Sequence, residues 1–417
     1  MSNVLIIGGG VIGLCTADYA TRKGHRVTIV DRVAAGHEGC SYGNAGMVSP
    51  SHFIPLAAPG MVARGLKWMG NPESPFYIKP RLNWDLLSWG FKFWRAASSA
   101  QVARAAPLLR DLHLASRACF EELAEIPGND FGLVKKGMLM LCKTGHALEE
   151  EAKTAEQSRE LGIPAEALDA KQTADLEPNV RMDIAGSVYF PKDCHLSPNR
   201  FMAGLKQRLA KTGANFLWET DVLGWRRDGN RIRAVLTTSG DLTADEFVLC
   251  GGSWSSLIAR DLPLDLPMQA GKGYSLTLPQ PRQIPQICAI FTEARVAVTP
   301  IGTALRFGGT MEIAGLNEDI NPVRVQGIIK SVPKYYPDFT SKDFEGIQPW
   351  RGLRPCSPDG LPYVGRARRY SNLCIATGHA MMGLSLGPIT GKLVAEILSG
   401  EKPVIDIELL NPDRYAH

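Results

Sequence analysis

The sequence lacks the signatures of metal, disulfide and nucleic-acid proteins. Its 417 residues include nine cysteines and eight histidines, but these form no C-x-x-C, H-x-x-x-H or H-E-x-x-H spacing. We therefore expect no metal site and no disulfide framework, and free thiols are typical of a reducing compartment. The 46 basic and 42 acidic residues leave a net charge of +4, which is too small to indicate a nucleic-acid partner.

Long apolar runs are also missing. No uninterrupted run of about 18 apolar residues occurs, so the sequence predicts no membrane-spanning helix. The apolar stretch Val4–Ala20 has no basic residues before it and is broken by glycines, so we interpret it as a strand and a turn instead of a signal peptide. These features predict a cytoplasmic protein, with peripheral contact on the inner face of a membrane left open.

Two segments carry apolar residues that could pack either inside the protein or against a partner. Leu82, Leu86, Trp89 and Phe93 form one stripe of a helical pattern, which we interpret as core, with a membrane or partner surface as the alternative. The Phe53–Gly70 segment has few charges. Packing in the core or between domains is the first interpretation for it, and a lid, a partner face or a membrane surface is the alternative.

Glycine is in surplus, with 42 residues against roughly 29 at the average rate. One cluster, Gly8–Gly13, has the pattern G-x-G-x-x-G between the apolar strand Val4–Ile7 and a helical pattern over Leu14–Lys23. Such glycines let a pyrophosphate approach the N-terminus of a helix. Asp31 ends the second strand, Arg26–Val30, and its carboxylate suits ribose hydroxyls, which argues against NADP. The motif does not distinguish FAD from NAD.

Further motifs follow the glycine cluster in a fixed order. They are Ser41–Pro50, Cys250–Ser255, Trp350–Gly360, and Gly378–Gly383 with Gly387–Gly391. In this order they resemble the FAD-dependent amine oxidoreductases of the D-amino acid oxidase and glycine oxidase group. The nearest likeness is to bacterial D-amino acid dehydrogenases, through Asn44–Gly46, Pro55–Gly60 and Lys272–Ser275.

The resemblance covers nearly the whole chain and implies an α/β fold of two domains. A discontinuous Rossmann-like FAD-binding domain would comprise residues 1–80, 190–265 and 350–417. A substrate-binding domain of α+β type, with a mainly antiparallel sheet and helices, would comprise residues 81–189 and 266–349.

The resemblance also implies a set of residues that hold FAD without a covalent link. These are Gly8, Gly10, Val11, Ile12, Gly13, Asp31, Arg32, Ser41, Asn44, Ala45, Gly46, Val222, Gly251, Gly252, Trp254, Gly383 and Leu384. Gly383 and Leu384 would begin the last helix. Their N–H groups would stabilise the negative charge that develops on the flavin during reduction.

The substrate carboxylate needs a clamp, and Arg354 matches the family position for it. An arginine fork binds a carboxylate through two hydrogen bonds. The alternative for Arg354 is a surface position or an ion pair with Asp359, and Arg351 is the second candidate for the clamp. Tyr274 could donate a further hydrogen bond, although a core aromatic is an equal interpretation.

His52 and His379 are the remaining candidates near the flavin, with ordinary loop histidines as the alternative. The implied reaction is oxidative deamination of a D-amino acid. A hydride moves from Cα to flavin N5, and the imino acid hydrolyses to a keto acid and ammonia. Electrons would pass to a quinone or carrier protein. Three alternatives stay open: an oxygen-using oxidase of glycine, sarcosine or cyclic imino acids such as D-proline and D-hydroxyproline, a flavin subunit of a hetero-oligomer, and a nucleotide-binding protein without redox activity.

Overall fold

The computed structural model describes residues 1–416. The strands are β1 (Asn3–Ile7), β2 (Arg26–Val30), β3 (Met47–Val48), β4 (Phe76–Ile78), β5 (Met138–Cys142), β6 (Glu166–Asp169), β7 (Gly186–Phe190), β8 (Cys194–His195), β9 (Asn215–Leu217), β10 (Val222–Asp228), β11 (Arg231–Thr237), β12 (Gly240–Leu242), β13 (Glu246–Leu249), β14 (Gln269–Leu278), β15 (Cys288–Phe291), β16 (Val296–Ile301), β17 (Ala304–Ile313), β18 (Trp350–Cys356), β19 (Tyr363–Arg366) and β20 (Leu373–Thr377). The helices are α1 (Val11–Arg22), α2 (Met61–Met69), α3 (Trp84–Ala96), α4 (Ser99–Ala124), α5 (Gly145–Glu160), α6 (Ala170–Leu176), α7 (Pro198–Lys211), α8 (Ser255–Ile258), α9 (Pro322–Tyr335) and α10 (Gly387–Leu398). Short 3-10 turns cover Gly252–Trp254, Ser341–Phe344, Ala380–Met382 and Glu408–Leu410.

A six-stranded sheet holds the N-terminal strand at its centre, in the order β19-β20-β13-β1-β2-β9. All of its pairs are parallel except β19 with β20. Val4 and Ile6 of β1 face a core formed with α1 and α10. Leu5 and Ile7 face a second core that includes the three-stranded sheet β10-β11-β12. Because both faces are covered, β1 is apolar without alternation, as is usual in a parallel sheet.

The larger sheet runs in the order β18-β14-β17-β16-β15-β5-β7-β6, and β4 also pairs with β17. Its pairs are antiparallel except β15 with β5 and β4 with β17. Helix α9 packs on it through Val325, Ile328 and Val332. The predicted fold class, a Rossmann-like part with a second, mainly antiparallel part, is confirmed.

The predicted domain bounds stay a prediction. Strand pairing nevertheless assigns two short segments to the larger sheet that those bounds give to the other domain. Residues 76–78 pair with β17, and residues 350–356 pair with β14.

Helix boundaries differ from the sequence prediction at three places. Helix α1 begins at Val11 directly after Gly10, three residues earlier than predicted. The last helix begins at Gly387 and not at Gly383, because a 3-10 turn over Ala380–Met382 precedes it. Helix α9 was not predicted from the sequence, and Asn321 caps it by accepting the N–H of Val323.

The apolar stripe predicted on α3 is only partly core. Trp89 is buried, whereas Leu82 precedes the helix and is fully exposed. The opposite side of α3 carries exposed apolar residues that the pattern did not distinguish. The segment Ala380–Leu398 is long and apolar enough to cross a membrane by length and composition, although no uninterrupted apolar run predicted it, and 78% of it is buried inside the molecule.

Candidate active site

One cavity of about 1630 Å³ lies against both large sheets. Ligand pockets usually measure about 300–1,000 Å³, so this volume suits a dinucleotide together with a small substrate. Its lining includes the carboxyl ends of β1 and β2 and residues of β14, β17 and β18. Ligands bind at such strand ends in open parallel sheets.

Nearly all the predicted site residues line this cavity. Those that do are Gly8, Gly10, Val11, Ile12, Asp31, Arg32, Ser41, His52, Asn44, Ala45, Val222, Gly251, Gly252, Trp254, Tyr274, Arg354, His379, Gly383 and Leu384. Gly13 and Gly46 do not line it. Each of these two glycines permits a close backbone approach, since an added Cβ would lie 1.9 Å from the Gly8 carbonyl oxygen or 2.3 Å from that of Leu196.

The start of α1 offers unused hydrogen-bond donors to the cavity. Gly8 has φ +112°, and an added Cβ would lie 2.4 Å from the Cys250 carbonyl oxygen, so only glycine fits the turn. Val11 N–H donates to Ser41 Oγ at 3.2 Å. The N–H groups of Gly10 and Ile12 have no acceptor among residues 1–416. A helix N-terminus with free N–H groups is a binding site for phosphate.

Asp31 and Arg32 follow the end of β2 in this part of the cavity. The Asp31 carboxylate accepts the N–H of Gly9 at 2.6 Å, which fixes it beside the glycine turn. The Arg32 guanidinium lies 4.0 Å from the ring centre of Trp254. A cation held over an indole ring in this way is stabilised by the ring's negative face.

Arg306, on β17 of the larger sheet, holds the loop around Asn44 in place. The buried Arg306 side chain donates to the carbonyl oxygens of Tyr42 and Asn44 at 3.0 and 2.7 Å. The N–H groups of Asn44 and Ala45 line the cavity and find no acceptor in the described chain. Arg306 therefore occupies the acceptors of the loop and leaves its donors for a ligand.

The turn before α10 supplies a third group of donors. Gly383, Leu384 and Ser385 line the cavity, and no acceptor for their N–H groups occurs within residues 1–416. Ser385 Oγ is fixed by His113 Nδ1 at 3.0 Å and by the N–H of Ser49 at 3.1 Å. The predicted donors are thus present, although they belong to a turn and not to the helix itself.

These three groups of free N–H donors fit FAD. The start of α1 and the Asn44 loop suit the negatively charged phosphates, and the Gly383–Ser385 turn suits the negative charge that a reduced flavin carries. FAD supplies the two-electron chemistry at such a site. The cavity-lining glycines allow the close backbone approach that this large group needs.

Arg354 projects over Gly273, which leaves space for it. An added Cβ on Gly273 would lie 2.1 Å from Arg354 Nη2. One nitrogen, Nη1, donates to the carbonyl oxygen of Thr310, and no carboxylate of residues 1–416 forms an ion pair with this arginine. The alternative ion pair with Asp359 is wrong, because Asp359 binds Arg414 at 2.7 Å.

A β-bulge creates this arrangement. Lys272 pairs with Glu312 and Tyr274 with Gly309, so two residues of β17 oppose Gly273. One of them is Thr310, whose φ of +69° is unusual for a residue other than glycine. Bulges next to active sites re-aim side chains and backbone groups, and here the bulge holds the Thr310 carbonyl against Arg354. Burial lowers the pKa of Arg354 from its ordinary value.

Two other predicted polar residues are engaged elsewhere. The Tyr274 hydroxyl donates to Glu312 Oε2 at 2.6 Å and accepts the N–H of Asn321 at 3.2 Å. Its donor is therefore not free for a substrate carboxylate. Arg351 donates to the carbonyl oxygen of Glu318 at 2.9 Å, which favours Arg354 over it as the clamp.

The two predicted histidines are neutral in the fold. Burial lowers the pKa of His52 to about 4 and that of His379 to about 3. His52 Nδ1 lies 3.1 Å from Ser51 Oγ, which donates to Asp193 at 2.6 Å. Burial raises the pKa of Asp193 to about 7. His379 Nε2 lies 2.9 Å from Thr390 Oγ1.

Sequence reasoning missed Arg306, His113 and Asp193. Each acts through a partner that is far away in the chain: Arg306 contacts Asn44 across 262 positions, and His113 contacts Ser385 across 272. No local motif carries such a signal. Among the described residues, no three His, Cys, Asp or Glu side chains meet in a way that could hold a metal ion.

Comparisons with known proteins identify the family of this chain. Residues 3–397 match the DAO family, described as FAD dependent oxidoreductase. A D-amino acid dehydrogenase of Agrobacterium fabrum is 34% identical over 419 residues, 99% of this chain and 100% of the relative. One of Bradyrhizobium diazoefficiens is 33% identical over 423 residues, 99% of each chain. The solved glycine oxidase of Geobacillus kaustophilus has a TM-score of 0.79 at 25% identity, covering 100% of this chain and 99% of its own. The resemblance inferred from the motifs is confirmed: the chain belongs to the DAO family of FAD-dependent oxidoreductases.

Proposed function

We propose that this enzyme oxidises D-amino acids to keto acids and ammonia and passes the electrons to a quinone or a carrier protein. The observation that carries the proposal is Arg354. It is a partly buried guanidinium with one protein acceptor, the Thr310 carbonyl, and with no paired carboxylate in the described chain. Partial burial removes some of its hydration without supplying a counter-ion, and a substrate carboxylate would provide the missing charge.

The geometry around Arg354 supports orientation of the substrate. Its fork fixes a carboxylate in one plane, and the Thr310 carbonyl fixes the fork. The substrate's Cα–H would then be held in one direction, towards the bound flavin. Positioning of this kind supplies a large part of the rate when the chemistry is a single transfer.

No protein acid or base is needed at Cα. His52 and His379 have pKa values of about 4 and 3, so both are neutral at neutral pH and add no positive charge beside the substrate amine. The amine must be neutral before its Cα can give up a hydride. An uncharged imidazole does not oppose that state.

An anaerobic spectroscopic experiment tests the reaction. Purified holoenzyme is mixed with D- and L-amino acids without oxygen, and flavin absorbance is recorded. We expect bleaching by D-isomers only, and electron transfer to a quinone analogue faster than to oxygen. Bleaching by glycine, sarcosine or D-proline alone, with rapid oxygen uptake, would favour the oxidase alternative. No bleaching by any of these would favour a flavin subunit that needs partners.

Substitution of the clamp tests its role. Arg354→Ala should retain FAD yet lower the rate of reduction by D-amino acids at least about 100-fold, because two charge-assisted hydrogen bonds are lost. Arg351→Ala is the comparison variant and should lose less than about 10-fold, because Arg351 is held by Glu318. The reverse order would assign the clamp to Arg351.

We further propose that the acceptor is reached at an anionic membrane surface. Trp84, Leu87, Phe91 and Trp94 form one exposed stripe on α3, each more than half exposed. Soluble proteins rarely expose such a patch without a partner. Leu66 and Trp94 also line the cavity, so a lipid-soluble quinone could enter where this stripe meets the bilayer.

Basic residues in the segments before α3 and at the end of α3 would complement anionic lipids. Arg64, Lys67, Lys79, Arg81 and Arg95 have no ion pair within residues 1–416. Each basic residue near an anionic membrane contributes about 1 kcal/mol of attraction. Tryptophans at both ends of the stripe suit the headgroup region.

Vesicle sedimentation tests this surface. The enzyme should pellet with phosphatidylglycerol vesicles at low salt and not with phosphatidylcholine vesicles. A Trp84→Ser/Phe91→Ser variant should stay in the supernatant while retaining activity with a soluble dye. Leu223→Ser, at an equally exposed leucine on β10, is the matched control and should still pellet. Equal pelleting of all three proteins would reject the α3 surface.

A further inference from the structure

A second arginine, Arg295, lines the same cavity without a partner. It ends the four-residue loop between β15 and β16, where Phe291 pairs with Val296. Its backbone N–H donates to the Phe291 carbonyl oxygen at 2.8 Å. No hydrogen bond from its guanidinium, and no carboxylate within 4.0 Å of it, is found in residues 1–416.

The backbone at Arg295 is unfavourable for an arginine. Its φ is +54°, in the left-handed region. Hairpin loops use glycine or asparagine at this position, because a side chain with Cβ clashes there. Strain of this kind clusters at ligand sites. Arg295 thus costs the hairpin stability, while its side chain makes no hydrogen bond or ion pair within the described chain in return.

Arg295 and Arg354 flank the same point of β17. An added Cβ on Gly309 would lie 3.3 Å from the Arg295 carbonyl oxygen. The next residue, Thr310, gives its carbonyl oxygen to Arg354. The backbone of Arg295 and the side chain of Arg354 therefore contact neighbouring residues of one strand, from the β16 side and from the β14–β18 side.

Glu151 and Glu293 lie close enough to raise the pKa of Arg295, but neither forms an ion pair with it. Glu293 accepts the N–H groups of Lys143 and Thr144 and the hydroxyl of Tyr335. Burial raises the pKa of Glu151, and Arg64 adds a second cation nearby. Arg295 is exposed and lines the cavity, so a ligand can reach its guanidinium without displacing a protein group.

We propose that Arg295 binds a second carboxylate, on the side chain of the substrate, and that the preferred substrates are acidic D-amino acids such as D-aspartate and D-glutamate. This inference rests on the proposed function, in which Arg354 holds the α-carboxylate. The two guanidinium groups would then bind the two ends of one dicarboxylate.

Isosteric substrate pairs test the inference, because D-glutamate and D-glutamine differ in charge but hardly in shape. The parent enzyme should show a kcat/KM at least 10-fold higher for D-glutamate. Arg295→Asn should lose roughly 10- to 100-fold on D-glutamate, as for one charge-assisted contact, and stay within about 3-fold on D-glutamine. Arg295→Lys should restore part of the loss.

Two further measurements distinguish failure of this inference from failure of the proposed function. Glutarate, which cannot be oxidised, should raise the Tm of the parent more than butyrate does, and this difference should vanish in Arg295→Asn. The Tm of ligand-free Arg295→Asn should not fall below that of the parent, because asparagine tolerates this backbone. Equal kcat/KM for D-glutamine and D-glutamate in the parent would overturn the inference alone, whereas no turnover of any D-amino acid would overturn the proposed function.

Discussion

At the scale of single residues, Arg306 shows how the larger sheet serves the cofactor. Its buried guanidinium satisfies the carbonyl oxygens of Tyr42 and Asn44. Without it, two acceptors would be left unpaired, and each such group costs about 1–3 kcal/mol. The loop would then turn its acceptors, and not its donors, towards a ligand that is itself rich in acceptors.

We therefore predict that Arg306→Met lowers FAD affinity at least about 10-fold, since a loss of 1.4 kcal/mol already corresponds to that factor. The FAD affinity of Arg306→Lys should lie between that of Arg306→Met and that of the parent, because a lysine keeps the charge but cannot form the same fork of hydrogen bonds. Titration of the apoprotein with FAD, followed by quenching of flavin fluorescence, measures the affinity. Identical dissociation constants for the parent and Arg306→Met would contradict this role.

Residues with a local pattern could be predicted from the sequence, and those with remote partners could not. The role of the glycines from Gly8 to Gly13 could be predicted because a strand, a tight turn and a helix lie within one short segment. Arg306 and Arg295 carry no such pattern. Their significance comes from β17 and its neighbours, which the chain assembles from separated segments.

At the scale of elements, α1 and α10 pack unusually closely. An added Cβ on Gly391 would lie 2.5 Å from the backbone carbon of Cys15. This contact brings the turn before α10 and the N-terminus of α1 to the same cavity. The position of α10 therefore couples the donors of Gly383–Ser385 to those at the start of α1.

Gly391→Val should lower stability by at least about 1–3 kcal/mol and weaken FAD binding, because the helices must separate. Gly145→Ala, at a helical glycine whose added Cβ would meet no atom within 4 Å, is the control and should be neutral or stabilising. Urea unfolding of the apoprotein and FAD titration measure the two effects. Loss of stability in the control, but not in Gly391→Val, would contradict the packing argument.

Element positions were largely predictable, and their ends were not. The first strand and the first helix follow from hydrophobic period and flanking glycine. A 3-10 turn over Ala380–Met382 precedes α10, and its first residue has φ +48°. Residues other than glycine rarely adopt this conformation, so sequence propensity gave no sign of the turn.

At the scale of the whole molecule, buried titratable groups set the pH dependence of stability. Burial lowers the pKa values of His52, His113 and His379 to about 4, 3 and 3. Their folded pKa values are below the unfolded value of about 6.5. The stability they contribute is complete above pH 6.5 and is lost as pH falls towards 4. We predict that Tm decreases over this range.

Asp193 acts in the opposite direction. Its folded pKa of about 7 exceeds its ordinary value of 3.8, so its contribution is complete below pH 3.8 and is lost as pH rises to about 7. The Tm of Asp193→Asn minus that of the parent should therefore increase from pH 4 to pH 7 and then stay level. A difference that is constant across these pH values would reject a buried, neutral Asp193.

The hairpin between β15 and β16 has a consequence for how this enzyme could diversify. Thr292, Glu293 and Arg295 of its tip line the cavity, where the proposed function would place the substrate side chain. The glycine turn and the Asn44 loop belong to other segments of the chain. A change of residue at the tip would alter which side chain is accepted while leaving the cofactor cradle intact. Exchange of these four residues between relatives is therefore a compact route to new selectivity.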